Sequence, residues 1–131
     1  MRILLADHHV HPRWALKTML EEQPEFDLIG EALDAQGLLV LAEKQTADLV
    51  LMDRELPGIY IEELIARLRA IEPRPIIIVM SSEFEYSRVL LQAGVDAFVS
   101  KGDEPDWLLE KLHKYAKQVK MKEDAYKNKI P

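Results

Sequence analysis

The chain has 131 residues, 48% of them hydrophobic, a formal net charge of −6 and no cysteine, which fits one globular domain and excludes a disulfide framework or a cysteine-based zinc site. No apolar run approaches the roughly 20 residues that a transmembrane helix needs, so no membrane partner is expected. Met1 and Arg2 lead directly into a short apolar segment, unlike a signal peptide, and we expect a cytoplasmic protein.

Short apolar segments alternate with amphipathic segments along the whole chain. Apolar runs at residues 3–6, 27–30, 49–52, 76–80 and 97–99 predict five strands. Five helices are predicted between and after them. The first has Pro12 in its first turn, and the second runs from an N-cap at Asp34 to about Lys44. The third has a stripe of Leu64, Ile65, Leu68 and Ile71 and stops before Pro73, the fourth is short, over 84–93, and ends at Gly94, and the last starts at Asp103 or Asp106.

This alternation predicts the α/β class of fold. Strands that are apolar on both faces form a parallel sheet covered by helices on each side, and right-handed crossovers make the sheet doubly wound. The flavodoxin-like strand order 2-1-3-4-5 suits five strands best. In that order strands 1 and 3 are neighbours, and we expect the functional crevice beyond their carboxyl ends.

Polar side chains follow four of the five predicted strands. Asp7 follows strand 1 and Asp53 follows strand 3, while Ser81 and Ser82 follow strand 4 and Lys101 follows strand 5. Two carboxylates, a pair of hydroxyls and an ammonium can hold a divalent cation and a doubly charged oxyanion, because hard cations such as Mg²⁺ prefer oxygen ligands. A carboxylate nucleophile can accept a phosphoryl group when a metal ion, a hydroxyl and a lysine neutralise the charge that develops on the transferred oxygens. The pattern therefore indicates a phosphoryl-transfer enzyme or switch.

These polar residues lie within four segments: ILLAD at 3–7, DLVLMD at 48–53 followed by LPG at 56–58, IVMSS at 78–82 and AGVDAFVSK at 93–101. Together the segments resemble the successive signatures of the receiver domains of response regulators in two-component systems. The resemblance covers about residues 2–120. It implies a signalling domain that is phosphorylated on Asp53 and changes shape, and we do not expect a metabolic enzyme.

The resemblance also implies a metal pocket around the phosphoacceptor. Asp7, Asp53 and the backbone carbonyl of Glu55 would hold Mg²⁺. The family usually has two adjacent acids after strand 1, whereas this chain has Asp7 followed by His8. Neutral imidazole is a poor ligand for Mg²⁺ but a good one for Zn, Ni or Cu. We therefore expect Mg²⁺ to be weakly bound or replaced, and His8 is itself a candidate ligand.

The remaining roles concern phosphoryl binding and the switch. Ser81, Ser82 and Lys101 would bind the phosphoryl group, and Ser81 and Phe98 would form the switch. The family usually has a cis proline after this lysine. Here Gly102 follows, and because a cis bond costs roughly 3–4 kcal/mol without proline, we expect a trans bond.

The partners that the resemblance implies are a sensor histidine kinase or a phosphotransfer protein, and a second copy through helix 4, strand 5 and helix 5. A different class of function is a pseudo-receiver, a protein-binding module that signals without phosphorylation because His8 replaces an acid of the pocket.

Three histidines, His8, His9 and His11, lie close together after strand 1. They form either a transition-metal site completed by Asp7 or simply exposed loop residues. A cobalamin-binding domain of similar fold has an Asp-x-His-x-x-Gly motif in this loop. Asp7 and His9 match its first two members, but Pro12 replaces the glycine.

Charge is unevenly distributed along the chain. Residues 1–110 carry 10 Lys or Arg and 21 Asp or Glu, a net −11, whereas residues 111–131 carry 7 Lys and two acids, a net +5. The acidic part argues against direct nucleic-acid binding by the domain. We predict a receiver domain over 1–120 and a basic linker or tail over 121–131. Nucleic acid would be contacted through an output domain outside this chain, and the residues after strand 1 favour a helix-turn-helix output.

Overall fold

The computed structural model describes residues 1–129, in which strands and helices alternate as the sequence predicts. The elements are β1 (Arg2–Ala6), α1 (Val10–Glu21), β2 (Asp27–Ala32), α2 (Ala35–Lys44), β3 (Leu49–Asp53), α3 (Ile61–Arg69), β4 (Ile76–Ser81), a 3₁₀ turn (Phe84–Tyr86) that runs into α4 (Ser87–Ala93), β5 (Ala97–Ser100) and α5 (Pro105–Lys129).

All neighbouring strands of the sheet are parallel, and their order is β2-β1-β3-β4-β5. The predicted flavodoxin-like order is therefore confirmed. Leu51 in the middle of β3 pairs with Leu5 on one side and with Ile78 on the other. This register aligns the carboxyl ends of β1, β3 and β4 at one edge of the sheet.

The sheet is covered on both faces, because side chains of a strand alternate in direction. Val50 and Met52 of β3 join the core beneath α2, α3 and α4, whereas Leu49 and Leu51 join the core beneath α1 and α5. All four of these side chains are completely buried. No helix within residues 1–129 is both long and apolar enough to cross a bilayer.

Three local predictions near helix ends and turns are confirmed. The Asp34 side chain accepts a 2.7 Å hydrogen bond from the Gly37 N–H and so caps α2. Gly94 ends α4 with a φ of 108°, which favours a residue without a Cβ. The one cis peptide bond among residues 1–129 joins Glu72 to Pro73, so the bond between Lys101 and Gly102 is trans.

The last helix starts within the predicted range and extends into the predicted tail. It begins at Pro105, between the two predicted starts, because the fixed φ of proline suits a first helical position. It continues through Lys129, past the predicted boundary at residue 120, since residues 121–129 contain neither glycine nor proline. Residues 121–129 of the predicted tail are thus helical, and residues 130 and 131 lie outside the described part of the chain.

Candidate functional site

Four chemically important residues lie at the carboxyl edge of the sheet. Asp53 and Ser81 are the last residues of β3 and β4, while Asp7 and Lys101 come directly after β1 and β5. Parallel strands place these four positions side by side. Asp7, Asp53 and Ser81 are buried, with 0%, 2% and 2% of their surface exposed.

Lys101 joins the two carboxylates. Its Nζ atom lies 3.3 Å from Oδ2 of Asp7 and 3.2 Å from Oδ1 of Asp53. Buried carboxylates are unfavourable unless they are paired, and one ammonium offsets one of the two negative charges. The pocket therefore keeps a net negative charge when its histidines are neutral.

The other two carboxylate oxygens face the histidines. Oδ1 of Asp7 accepts a 2.9 Å hydrogen bond from the His9 backbone N–H and lies 3.0 Å from His9 Nδ1. Oδ2 of Asp53 is buried and has no hydrogen-bond partner among residues 1–129. The histidine atoms near it are Nδ1 of His9 at 3.5 Å and Nδ1 of His8 at 3.8 Å. An unsatisfied buried oxygen is costly, so this atom is suited to a ligand.

The donor atoms here suit a divalent cation. Four potential ligand atoms lie within 4.8 Å of one another, one imidazole nitrogen or carboxylate oxygen from each of Asp7, His8, His9 and Asp53. The carboxylates fit Mg²⁺, but the imidazoles fit a transition ion instead. His11 is exposed and is not part of this group. The side chain of Glu55 is turned to Arg54, with 3.2 Å between its Oε1 and the Arg54 Nη2.

The Ser81 hydroxyl is held by neighbours other than the two carboxylates. Arg54 donates to its Oγ from Nε at 3.1 Å, and the backbone N–H of Glu83 donates at 3.0 Å. Ser82, by contrast, is exposed. In this structure, then, the hydroxyl at the end of β4 is bonded to Arg54 and to the backbone of the following loop.

Arg54 is a functional candidate that sequence reasoning did not identify. Its guanidinium also contacts Oε1 of Glu83 at 3.4 Å and stacks over the Tyr86 ring, with 3.8 Å between Cζ and the ring centroid. Arg54 thus connects the end of β3 to the turn before α4. The available signal was a cation directly after Asp53 in the sequence.

The face formed by α4, β5 and α5 carries the predicted aromatic residue Phe98. Phe98 is half-buried, and its ring meets the exposed ring of Phe84 edge-on, with 6.1 Å between centroids. Tyr115 of α5 donates a 3.3 Å hydrogen bond to the Asp96 carbonyl. Burial, and secondly the charge of Asp96, raise the pKa of Tyr115 above its usual 10.0.

Comparison with known families identifies the family of this chain. The model of the response regulator receiver domain matches residues 3–113. The chain belongs to this family. The predicted resemblance to receiver domains is therefore confirmed.

Curated relatives of this receiver domain include response regulators and a transcriptional regulatory protein. It is 32% identical to the nitrate/nitrite response regulator protein NarL of Escherichia coli over 87% of this chain and 54% of that protein. It is 32% identical to the transcriptional regulatory protein LiaR of Bacillus subtilis over 77% of this chain and 49% of that protein. The chain thus spans about half the length of these relatives.

Solved structures agree with the fold. A LuxR-family two-component response regulator from Aurantimonas superposes with a TM-score of 0.81 at 25% identity, covering 89% of this chain and 85% of that chain. The receiver domain of AraT, a response regulator from Geobacillus stearothermophilus, superposes with a TM-score of 0.83 at 22% identity, covering 93% of this chain and 97% of that chain. The second similarity supports the fold alone.

Proposed function

We propose that this receiver domain is a phosphoacceptor that takes a phosphoryl group on Asp53 and signals by a change of shape. The observation that carries the proposal is the asymmetric environment of the Asp53 carboxylate. Oδ1 is paired with Lys101 at 3.2 Å, whereas Oδ2 is buried without a hydrogen-bond partner among the described residues. One oxygen can thus form a new bond while the other faces the histidines.

The proposed reaction transfers a phosphoryl group from a phosphohistidine. A carboxylate oxygen of Asp53 forms a bond to phosphorus while the bond from phosphorus to the donor nitrogen breaks, and its electron pair stays on that nitrogen. Lys101 neutralises negative charge on the transferred group, because its ammonium is already 3.2 Å from Asp53. A divalent cation, when bound, would add positive charge in the same pocket. Asp7, Asp53 and the Glu55 carbonyl are the oxygen ligands that we propose for it, and we expect His8 to weaken Mg²⁺ binding.

The proposed switch involves Ser81 and Phe98. The Ser81 hydroxyl is bonded to Arg54 and Glu83 in this structure, so binding of a phosphoryl group by Ser81 requires that it exchange at least one of these bonds. Movement of the loop after β4 would then reach Phe98 through its contact with Phe84. Ser82 would add a second hydroxyl near the same group.

A histidine kinase or phosphotransfer protein is the donor that we propose, since relatives such as NarL are response regulators. We further propose that a homodimer forms through the face of α4, β5 and α5, where Phe84 is exposed beside Phe98. The name of LiaR, a transcriptional regulatory protein, supports transcription as the output. We propose that DNA would be bound by an output domain rather than by this acidic domain.

The second candidate function is a pseudo-receiver that binds partners without phosphorylation. The observation in its favour is that imidazoles of His8 and His9 lie 3.8 and 3.5 Å from Oδ2 of Asp53. His8 stands at the sequence position where the family usually has a second acid.

Incubation with acetyl phosphate and a divalent cation, followed by intact-mass measurement, separates the two functions. The phosphoacceptor gains the mass of one phosphoryl group, and Asp53→Asn does not. Absence of any mass gain with Mg²⁺, Mn²⁺ and Zn²⁺ alike would favour the pseudo-receiver.

A further inference from the structure

We propose that the pocket binds a divalent transition ion of the Zn²⁺ type in preference to Mg²⁺, through Asp7, Asp53, His8 and His9. This inference rests on the proposed function only in sharing Asp53 with it. It concerns which cation this receiver domain binds. It follows from four donor atoms that lie within 4.8 Å of one another.

The two carboxylates divide their oxygens between two sides of the pocket. On one side Lys101 contacts Oδ2 of Asp7 and Oδ1 of Asp53. On the other side Oδ1 of Asp7 and Oδ2 of Asp53 face the imidazoles. A cation on the histidine side therefore does not compete with the lysine for the same oxygen atoms.

Three of the separations between donors are close to those around a small four-coordinate ion, and all four donor atoms lie within 4.8 Å of one another. Tetrahedral bonds of about 2.0–2.2 Å to nitrogen and oxygen place neighbouring donors about 3.3–3.6 Å apart. Nδ1 of His9 lies 3.0 Å from Oδ1 of Asp7 and 3.5 Å from Oδ2 of Asp53, and Nδ1 of His8 lies 3.8 Å from the latter. Shifts of a few tenths of an ångström thus bring these three donor–donor separations to those of a tetrahedral site.

A second observation points independently to a ligand at this place. Asp53 is 2% exposed, and its Oδ2 has no hydrogen-bond partner within residues 1–129. The atom is aimed at the imidazoles, whose ring centroids lie 3.8 Å apart. A positive ion here would pair the unsatisfied oxygen and balance the net negative charge of the pocket.

The type of ion follows from the chemistry of the four donors. Mg²⁺ requires near-octahedral oxygen ligands and is poorly served by imidazole. Imidazole suits Zn²⁺ and its neighbours in the first transition row, and Zn²⁺ also accepts carboxylate oxygen. Both rings bind in the neutral form with the ring proton on Nε2, which leaves the Nδ1 lone pair for the ion.

Equilibrium titration of the metal-free chain with Zn²⁺ alone and with Mg²⁺ alone tests the proposal. We expect one Zn²⁺ per chain, bound at least about 100-fold more tightly than Mg²⁺. His8→Ala and His9→Ala should each weaken Zn²⁺ binding by at least about 10-fold. The matched control is His11→Ala, which removes an exposed imidazole from the same segment and should leave the affinity unchanged.

A reciprocal variant tests the same point in the other direction. His8→Asp supplies a second adjacent acid and should raise Mg²⁺ affinity while lowering Zn²⁺ affinity. Equal affinities for the two ions in the unmodified chain would overturn the proposal. So would Zn²⁺ affinity that is the same in His8→Ala and His9→Ala as in His11→Ala. No phosphoryl donor is present, so failure here is distinct from failure of Asp53 to be phosphorylated.

Discussion

Removal of the Lys101 ammonium should destabilise the domain, because two buried carboxylates then share no positive charge. In Lys101→Met an unbranched apolar side chain replaces the lysine, and Asp7 and Asp53 lose the contacts at 3.3 and 3.2 Å. Breaking a buried ion pair costs about 3–5 kcal/mol. The lysine side chain is 24% exposed, so solvent screening places the expected loss near the lower end, about 3 kcal/mol.

Urea denaturation at neutral pH, without divalent cations, measures this loss as a change in the free energy of unfolding. At about 4 °C per kcal/mol for a domain of this size, the midpoint of thermal unfolding should fall by about 12 °C. Lys114→Met is the matched control, since it removes an exposed lysine from α5. Adding Asp53→Asn to Lys101→Met should recover part of the lost stability, because a neutral amide then replaces one of the two carboxylates. The reasoning fails if Lys101→Met is as stable as the control, or if the double variant recovers nothing.

Three further predictions concern other parts of the fold. Arg54→Met should lower the free energy of unfolding by about 2 kcal/mol, since it loses the hydrogen bond to Ser81 and the stacking on an aromatic ring; unchanged stability in urea would contradict these contacts. Asp34→Ala should cost about 1 kcal/mol through loss of the α2 cap, and a loss near zero in the same assay would argue against the cap. Because burial raises the pKa of Tyr115 in the folded state, the stabilising contribution of its protonated form should be complete below about pH 10 and lost as pH rises through the folded pKa. Asp96→Asn should lower this pKa in an absorbance titration of tyrosinate. An unmoved pKa would contradict the influence of Asp96.

The placement of Asp7, Asp53 and Lys101 could be predicted from the sequence because each residue ends an apolar strand. In a parallel sheet the ends of neighbouring strands meet, so strand order alone brings these side chains together. An oxygen of each carboxylate indeed lies within 3.3 Å of the lysine Nζ. Topology, rather than any local motif, made this part of the site predictable.

The orientation of loop side chains could not be predicted in the same way. The sequence places His8 at the position of a usual metal ligand, but Nδ1 of His9 lies closer to both carboxylates, because the His9 backbone N–H is bonded to Asp7. Arg54 similarly depends on Tyr86 and Ser81, which are more than 25 residues away in the chain. Such contacts are decided by tertiary packing.

The helical extent of α5 is a further difference, and its cause is local. The lysine-rich composition of 121–131 indicated a linker, yet the same residues up to 129 are good helix formers. The segment is helical because it continues a helix that is already nucleated by the packing of Leu108 and Leu112.

The most direct test of the central proposal is to locate the phosphoryl group chemically. The chain is treated with acetyl phosphate and a divalent cation, the acyl phosphate is reduced with borohydride, and the modified residue is found by peptide mass spectrometry. Reduction converts a phosphorylated aspartate to homoserine. Homoserine at position 53, absent from untreated protein, is the predicted result. Modification at Asp7 or at exposed acids with position 53 unchanged would contradict the assignment of Asp53 as the phosphoacceptor.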